Sequence, residues 1–563
     1  MNAVFCVLNS KYIHSSLAPW CLFSACRQKC DADFSFCVIE GTVNEPLEKI
    51  YDRIAEKRPD AVLFSCYIWN INATLALCKR LKEERKNLQI VLGGPEVSYN
   101  AKQIFEENES VDFISSGEGE VSIPQLLKSI KNGQTPDIAG VSYRTDNGIV
   151  IDRRAPATDE SISPFCEEYL AALNGRICYT ESSRGCPFRC AFCLSGRLGN
   201  VRYIDLDRVK KEILLLGNSG SKTVKFVDRT FNCNRHRATE ILRFILENYG
   251  ANIPDGVCFH FEIAADLLDE TQFSVIGKLP AGSVQFEVGI QSFHEKTLAA
   301  IHRKTDLEKV EKNVKRLLSF GNCHVHTDLI AGLPEERFDS FVDGFNRAYA
   351  MQPNMLQLGF LKILHGSDMA THKELYPCNH CSEPPYEVTD TPWISQQELQ
   401  KLHIAENELE RLYNSGRFRR TLSYVLSASN LTPFDLFFAF GTHIKNIALA
   451  DNCSLDAYTN AAFAYFSALD GVDRMTLRDR MLCDRLACNN SGRIPDALKI
   501  PDPMLSSVKR KIMQLFPVPK GTNRSVGILY GEQAAVYCDY KEKHPVSGEY
   551  TLQKIPLAAL ETD

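Results

Sequence analysis

Three cysteines fall within eight residues of the stretch YTESSRGCPFRCAFCLSG (179–196), at Cys186, Cys190 and Cys193. Thiolates are soft ligands, and three of them in a C-x3-C-x2-C loop can hold one iron–sulfur cubane while leaving an iron without a protein ligand. An open iron is a place where chemistry can happen. A zinc site would call for a fourth Cys or His at a similarly short offset, and none occurs between Tyr179 and Tyr203. Gly185 and Pro187 flank the first cysteine and Gly196 follows the last, which suits a loop wrapped closely around a bulky inorganic core. The competing reading is three unreactive buried thiols. Free cysteines are usually buried singly and in regular elements, so the clustering speaks against it.

The elements that must position this loop begin at about Ile177 and run to about Leu364. Short apolar runs, ICYTESS, VKFVDRTF (224–231), CFHFEIA (258–264), SVQFEVGIQSF (283–293), HVHTDLIAGLP (324–334) and MLQLGFLKILHG (355–366), alternate with helical segments such as Leu206 to Gly217 and Leu307 to Phe320. Six strands alternating with helices predict a partial (β/α)6 barrel over 177–366, open on one side. Asp228, Glu262, Glu287, Gln291, Ser292 and Asp328 lie at or near the carboxyl ends of these strands, where polar residues read as site-forming. Any one of them could instead make a structural hydrogen bond at the rim.

Upstream, residues 1–145 show continuous apolar runs at 4–9, 34–41, 61–69, 89–96 and 111–120, separated by helical spacing over 46–57, 72–84 and 101–107. This pattern predicts an α/β domain with a doubly wound, flavodoxin-like parallel sheet covered on both faces. Ligands bind at the carboxyl ends of such strands, here marked by Asn9, Ser65, Tyr67, Gly93, Gly94, Pro95, Gly117, Glu118 and Gly119. The GGPE and GEGE turns let backbone approach a ligand, or they simply close tight strand-to-helix turns. No G-x-G-x-x-G follows the first strand, which argues against a nicotinamide dinucleotide.

Residues 146–176 read as a linker punctuated by Asn147-Gly148, Pro156 and Pro164, with 137–144 a further strand or hairpin of the first domain. A proline-rich loop at 367–394 contains Cys378, His380 and Cys381, either half of a metal site or plain loop side chains, since no matching pair lies nearby. Residues 395–563 read as a mostly helical C-terminal domain with a small α/β tail over 500–558. Its aromatic run PFDLFFAFGTHI (433–444) suits a helix core or the lining of a pocket.

The 563 residues exceed one core and imply several domains. A net charge of -6 disfavours nucleic acid, and no apolar run is long enough to span a membrane. Twenty-one scattered cysteines without an export signal fit reduced thiols in a cytoplasmic protein.

The cysteine loop, complete with Phe192 before the third cysteine, resembles that of the radical S-adenosylmethionine (SAM) enzymes. A doubly wound domain with GGPE and GEGE turns directly before it is similar to the cobalamin-binding domain of the cobalamin-dependent radical SAM enzymes. LNSKYIHSSLAPW (8–20), PPYEV (384–388) and NSGRF (414–418) resemble a subgroup with an uncharacterised C-terminal domain. The resemblance implies a 4Fe-4S cluster on the three cysteines and SAM on the open iron. Phe192 would lie near the adenine, the segment containing Asp228 near the SAM amino group, and Glu287, Gln291 and Ser292 with Arg303 near the ribose and carboxylate. Asp328 would lie beside the adenine, Glu262 would belong to the same rim, and the strand-end residues of the first domain would hold cobalamin. The D-x-H-x-x-G motif is absent and His14 lacks its setting, which implies no histidine from this chain on the lower face of cobalamin. The implied activity is cleavage of SAM to a 5′-deoxyadenosyl radical and methyl transfer to an unactivated carbon of a small molecule or peptide, with flavodoxin or ferredoxin as reductant. The rivals are a non-methylating radical reaction, a methylthiotransferase and a non-catalytic cobalamin or iron–sulfur sensor. No comparable cysteine triplet precedes residue 150, which weighs against the methylthiotransferase, and a sensor has no use for an open iron.

Overall fold

The computed structural model describes residues 1–450, 452–519, 521 and 523–561, so the last two residues of the domain placed at 395–563 lie outside it, as do 451, 520 and 522 within it. Its first sheet comprises β1 (Asn2–Asn9), β2 (Ser35–Thr42), β3 (Ala61–Ser65), β4 (Gln89–Gly93), β5 (Phe113–Ser115), β6 (Val141–Thr145) and β7 (Gly148–Val150). The strand order is β2-β1-β3-β4-β5-β6-β7. The first five strands run parallel, with Cys6 opposite Ile39 on one side and Phe64 on the other, and β6 and β7 add an antiparallel hairpin. The order 2-1-3-4-5 is flavodoxin-like, and its switch point, between β1 and β3, opens a crevice at the carboxyl ends. Val4, Cys6, Leu8, Phe64, Ile90 and Leu92 fill the core beneath it.

Helix Ala18–Lys29 was not evident from periodicity. Pro19, Trp20, Cys21, Phe23, Ala25 and Cys26 are all buried, so the helix lacks the polar face that would make a stripe visible. Pro19 sits in the first turn, where its missing N–H costs nothing. The stretch read as a linker contributes β7 to the first sheet and carries the short helix Glu167–Leu173.

β8 (Cys178–Thr180) leads into the cysteine loop, which is bracketed by the antiparallel pair β9 (Ser183–Arg184) and β10 (Arg202–Tyr203). β11 (Thr223–Phe226) pairs in parallel with β8 and with β12 (Cys258–Ile263). With β13 (Val284–Gln291), β14 (His324–Ala331) and β15 (Met355–Phe360) the second sheet runs in chain order, β15-β14-β13-β12-β11-β8, with intervening helices such as Leu206–Gly217 and Leu307–Ser319. This is the open, partial barrel.

The chain forms two compact units. The first comprises Met1–Gln285, Ala299–Thr305 and Phe360–Pro392. Within it the stretch 360–392 reaches the GGPE turn: the Tyr386 hydroxyl donates to the buried Glu96 carboxylate, and the His365 ring meets Tyr386 edge-on at 4.8 Å. Gly366, at φ +84°, gives way to the Tyr99 ring, which would stand 2.2 Å from a Cβ there. Asn379–His380 and Val388–Asp390 pair as a two-stranded ribbon, and Cys381 is exposed.

The second unit, Phe286–Leu298, Asp306–Gly359 and Trp393–Asp563, is largely helical beyond residue 395. Helix Gln396–Glu408 starts from a capping box of Ser395 and Glu398. Phe434, Phe437 and Phe440 of helix Pro433–Asn446 are buried, so the aromatic run is helix core, joined by Tyr458 and Phe466. The tail is helix Met504–Leu515 on an antiparallel sheet of Arg524–Leu529, Ala534–Lys543 and Tyr550–Pro556.

Candidate functional site

The cysteine loop is set by the residues that follow β8 and by partners just past β11 and at Ile301. Asp228, just past β11, accepts hydrogen bonds from the Ser182 backbone N–H (2.7 Å), Ser182 Oγ (2.6 Å) and Ser183 Oγ (2.6 Å). Burial pushes its carboxyl up, and the three donors pull it back. Asp228 therefore braces the entry to the loop. Gly196 permits the loop to fold on itself, since a Cβ there would stand 2.4 Å from the Phe188 carbonyl oxygen. The Ala191 N–H donates to the Ile301 carbonyl at 3.0 Å and pins the middle of the loop.

The thiols meet groups suited to negative sulfur. Arg303 Nη1 lies 3.8 Å from Cys190 Sγ, the Ser195 N–H donates to Cys193 Sγ at 3.4 Å, and Thr230 Oγ1 lies 3.5 Å from Cys186 Sγ. Burial raises the Cys190 thiol, and the Arg303 guanidinium opposes that shift. Among the described residues no three His, Cys, Asp or Glu side chains converge on a point that could hold one metal ion, at 378–381 or elsewhere. Thiolates bound to separate iron corners need no such convergence. Three soft donors on one loop, supported by an N–H and a guanidinium, fit an iron–sulfur cluster. Phe192 is half-buried between Ala191 and Cys193.

A cavity of about 620 Å³ opens at the switch point of the first sheet. Asn9, Ser65, Tyr67, Gly93, Gly94, Pro95, Gly117, Glu118 and Gly119 all line it, and its barrel-side wall includes Tyr179, Glu181, Arg184, Lys225, Arg229 and Glu262. Gly94, at φ +106°, has no room for a side chain, because a Cβ would stand 2.5 Å from the Cys66 carbonyl oxygen. Tyr67 and Trp69 stack with centroids 4.5 Å apart and planes 3° apart, and Trp69 Nε1 donates to the Leu8 carbonyl at 3.1 Å. Asn9 is spent on structure: its Nδ2 donates to Glu40 at 2.9 Å and its Oδ1 accepts from Ser16 at 2.7 Å. His14 also lines the cavity, its Nδ1 2.7 Å from the Tyr179 hydroxyl, and burial lowers its pKa. A roomy concavity with a flat aromatic pair and glycines at its floor fits a large planar cofactor such as a corrinoid.

Glu118 belongs to an ion-pair network. Arg184, two residues before Cys186, meets Glu118 at 2.7 Å, Glu120 at 2.6 Å and Glu181 at 2.6 Å, while Arg202 pairs with Glu118 and Glu160. Sequence reasoning missed Arg184, Glu120 and Glu181, although Arg184 stands in the S-S-R-G run that leads into the first cysteine. A second cavity of about 930 Å³ shares Gly94, Gly117, Glu118, Arg184 and Arg229 with the first and reaches the cysteine loop at Gly185, Leu194 and Ser195.

In the second unit, Glu287 and Gln291 lie on β13, with Ser292 next and Asp328 on β14. Ser292 Oγ donates to Glu336 at 2.5 Å, and burial pushes the Glu336 carboxyl up to about 7. Gln291 adopts φ +74°, and its Oε1 is buried without a hydrogen bond among the described residues. Asp328 Oδ1 is 2.8 Å from His326 Nε2.

Family models match three stretches: B12 binding domain at 4–127, Radical SAM superfamily at 180–347, and a protein family of unknown function, DUF4080, at 374–520. A B12-binding match directly before a radical SAM match makes this chain similar in domain order to the radical SAM enzymes that carry a B12-binding domain. It is similar to the cobalamin-dependent radical SAM methyltransferase TokK of Streptomyces tokunonensis, 29% identical over 337 residues, covering 53% of this chain and 46% of that protein. The anaerobic magnesium-protoporphyrin IX monomethyl ester cyclase of Cereibacter sphaeroides is 24% identical over 322 residues, 55% of this chain and 52% of the relative. The chain thus spans about half the length of these curated relatives. The solved structure of the cobalamin-dependent SAM radical enzyme OxsB, with aqua-cobalamin and SAM bound, superposes with TM-score 0.58 at 15% identity, over 85% of this chain and 78% of that one, which shows the shared fold. Among the described residues no helix is long and apolar enough to cross a membrane.

Proposed function

We propose that this radical SAM enzyme transfers a methyl group to an unactivated carbon, with a 4Fe-4S cluster, SAM and cobalamin as cofactors. The observation that carries the reading is one cavity walled on one side by the strand ends of the B12-binding domain and on the other by the barrel residues leading into the cysteine loop. When bound, the cluster and SAM supply a 5′-deoxyadenosyl radical and the corrinoid supplies the methyl group.

The chain's own residues bind and position. Cys186, Cys190 and Cys193 ligate the cluster, and Arg303 and the Ser195 N–H hold the thiolate charge. Phe192, Glu262 and Arg303, with Glu287, Gln291, Ser292 and Asp328, are the SAM-binding candidates. Asp228 acts through the loop it braces, because Ser182 and Ser183 occupy its carboxylate. Ser65, Tyr67, Gly93, Gly94, Pro95, Gly117 and Gly119 line the corrinoid site, Asn9 and Glu118 support it through their hydrogen bonds and ion pairs, and Arg184 ties its wall to the cysteine loop. Placing both cofactors against one cavity supplies the proximity a radical recombination demands and keeps water out. A cytoplasmic location and a flavodoxin or ferredoxin reductant go with this chemistry.

The test is anaerobic reconstitution with iron, sulfide and hydroxocobalamin, followed by product analysis. Wild-type protein should show iron–sulfur and corrinoid absorbance and, when reduced with SAM, release 5′-deoxyadenosine; Cys186→Ala, Cys190→Ala and Cys193→Ala should each lose iron and that product. Retained iron and SAM cleavage in all three variants would overturn the assignment. The likeness to a cyclase favours a non-methylating second reading, which predicts turnover of substrate without S-adenosylhomocysteine.

A further inference from the structure

We propose that the 930 Å³ cavity is the substrate's docking chamber and that it selects a substrate bearing a carboxylate or phosphate, gripped by Arg153 and Arg229. The inference rests on the radical SAM reading and adds the substrate class. The chamber shares a wall with the cavity at the B12-binding strands and ends at the cysteine loop, so a molecule held there lies between the two cofactor sites.

Its charge is the opposite of the chain's. The whole protein carries -6, yet the chamber lining holds six basic side chains against three acidic ones, Glu118, Asp152 and Glu181. Most of the cations are already spent. Arg184 is ringed by Glu118, Glu120 and Glu181; Arg154 meets Asp137 at 2.7 Å and Asp152 at 2.5 Å; Arg197 pairs with Asp368; Lys102 lies 3.6 Å from Glu106. Arg153 and Arg229 have no ion-pair partner among the described residues, and both are exposed to the chamber rather than folded onto protein. The carboxylate next to Arg229, that of Asp228, is held by Ser182 and Ser183. Two unspent guanidinium groups in a concave site focus an attractive field and match carboxylate or phosphate oxygens in a two-pronged geometry. Tyr99, Ile151, Pro156 and Leu194 offer apolar contact beside them.

Arg229 also borders the first cavity, whereas Arg153 lines the chamber alone, and this asymmetry makes the proposal testable. The probes are phenyl phosphate, 3-phenylpropionate and the neutral 3-phenylpropanamide, titrated into anaerobically reconstituted holoenzyme at low salt by saturation-transfer NMR. Both anions should bind at least about tenfold more tightly than the amide, consistent with a charge-assisted hydrogen bond. Arg153→Gln and Arg229→Gln should each weaken the anions about tenfold and leave the amide unchanged. The tighter of the two anions tells phosphate from carboxylate. Equal affinity for anion and amide, anion binding unaltered in Arg153→Gln, or loss of SAM or corrinoid instead of anion in Arg229→Gln would overturn the proposal. Failure of the parent reading registers separately, as wild-type protein without iron–sulfur and corrinoid bands or without 5′-deoxyadenosine.

Discussion

Asp228 is 1% exposed and accepts three hydrogen bonds from Ser182 and Ser183, so Asp228→Ala would strand a buried backbone N–H and two hydroxyls at the entrance to the cysteine loop. An unsatisfied buried donor costs about 1–3 kcal/mol, and the hydroxyls, which can turn toward other acceptors as the N–H cannot, add about 0.5 kcal/mol each, which sets the local cost at about 2–4 kcal/mol. At about 1.4 kcal/mol per factor of ten, the Ser182 amide should exchange with solvent about 30-fold to 10³-fold faster. Asp228→Asn keeps an acceptor oxygen and sheds a charge that burial disfavours, so its cost should be only about 1 kcal/mol. A chain of several domains does not unfold in one step, which makes a local readout preferable to a midpoint. Hydrogen exchange over residues 180–185, paired with iron and sulfide content after anaerobic reconstitution, measures both consequences. Exchange within tenfold of wild type and full iron in Asp228→Ala would refute the bracing role.

Arg184→Met should leave Glu118, Glu120 and Glu181 without their shared cation at a cost of about 3–5 kcal/mol, seen as faster hydrogen exchange over residues 117–121 and 181–185 and poor corrinoid retention; unchanged exchange would count against the network. Trp69→Ala removes half of the aromatic stack and the hydrogen bond to Leu8, and should weaken hydroxocobalamin uptake, read from its absorbance after gel filtration, by about 1–2 kcal/mol. Glu336 offers a test by pH. Burial raises its carboxyl from 4.5 to about 7, so the neutral form supports the fold fully below about pH 4.5, and that support fades as pH rises through about 7, by about 3 kcal/mol in all. Glu336→Gln stays neutral throughout, and its protection against hydrogen exchange over residues 333–338, corrected for the intrinsic rate, should decline less than wild type's across this window; parallel declines would refute the assignment.

The central strands of the first sheet were legible because both of their faces are buried: AVLF and IVL are apolar without a break, and β3 and β4 begin at the residues the pattern indicated. Their ends were less so. The run taken as 61–69 stops being strand at Ser65, since Tyr67 and Trp69 turn into a stacked pair at the cavity rather than continue the ladder. The turn glycines could be read because a positive φ or a close approach leaves few alternatives, as at Gly94. The ion pairs could not be. Arg184 meets Glu118 and Glu120 across more than sixty residues of chain, and no local spacing reports a partner that only tertiary packing supplies. Asp228 was identified by position at the rim, but which neighbours claim its oxygens depends on the path of the loop after β8.

Recombining this enzyme with its relatives would tempt an engineer to cut near residue 374, where the third family model begins. Such a splice would carry off Tyr386, the hydrogen-bond donor to the Glu96 carboxyl, and leave His365, 4.0 Å away, beside that acid. The return of 360–392 to the GGPE turn makes the B12-binding fold and the start of the barrel a single transplantable block, closed by a clasp encoded far downstream. A chimera that keeps that clasp keeps the Tyr386–Glu96 hydrogen bond; one that omits it gives that bond up.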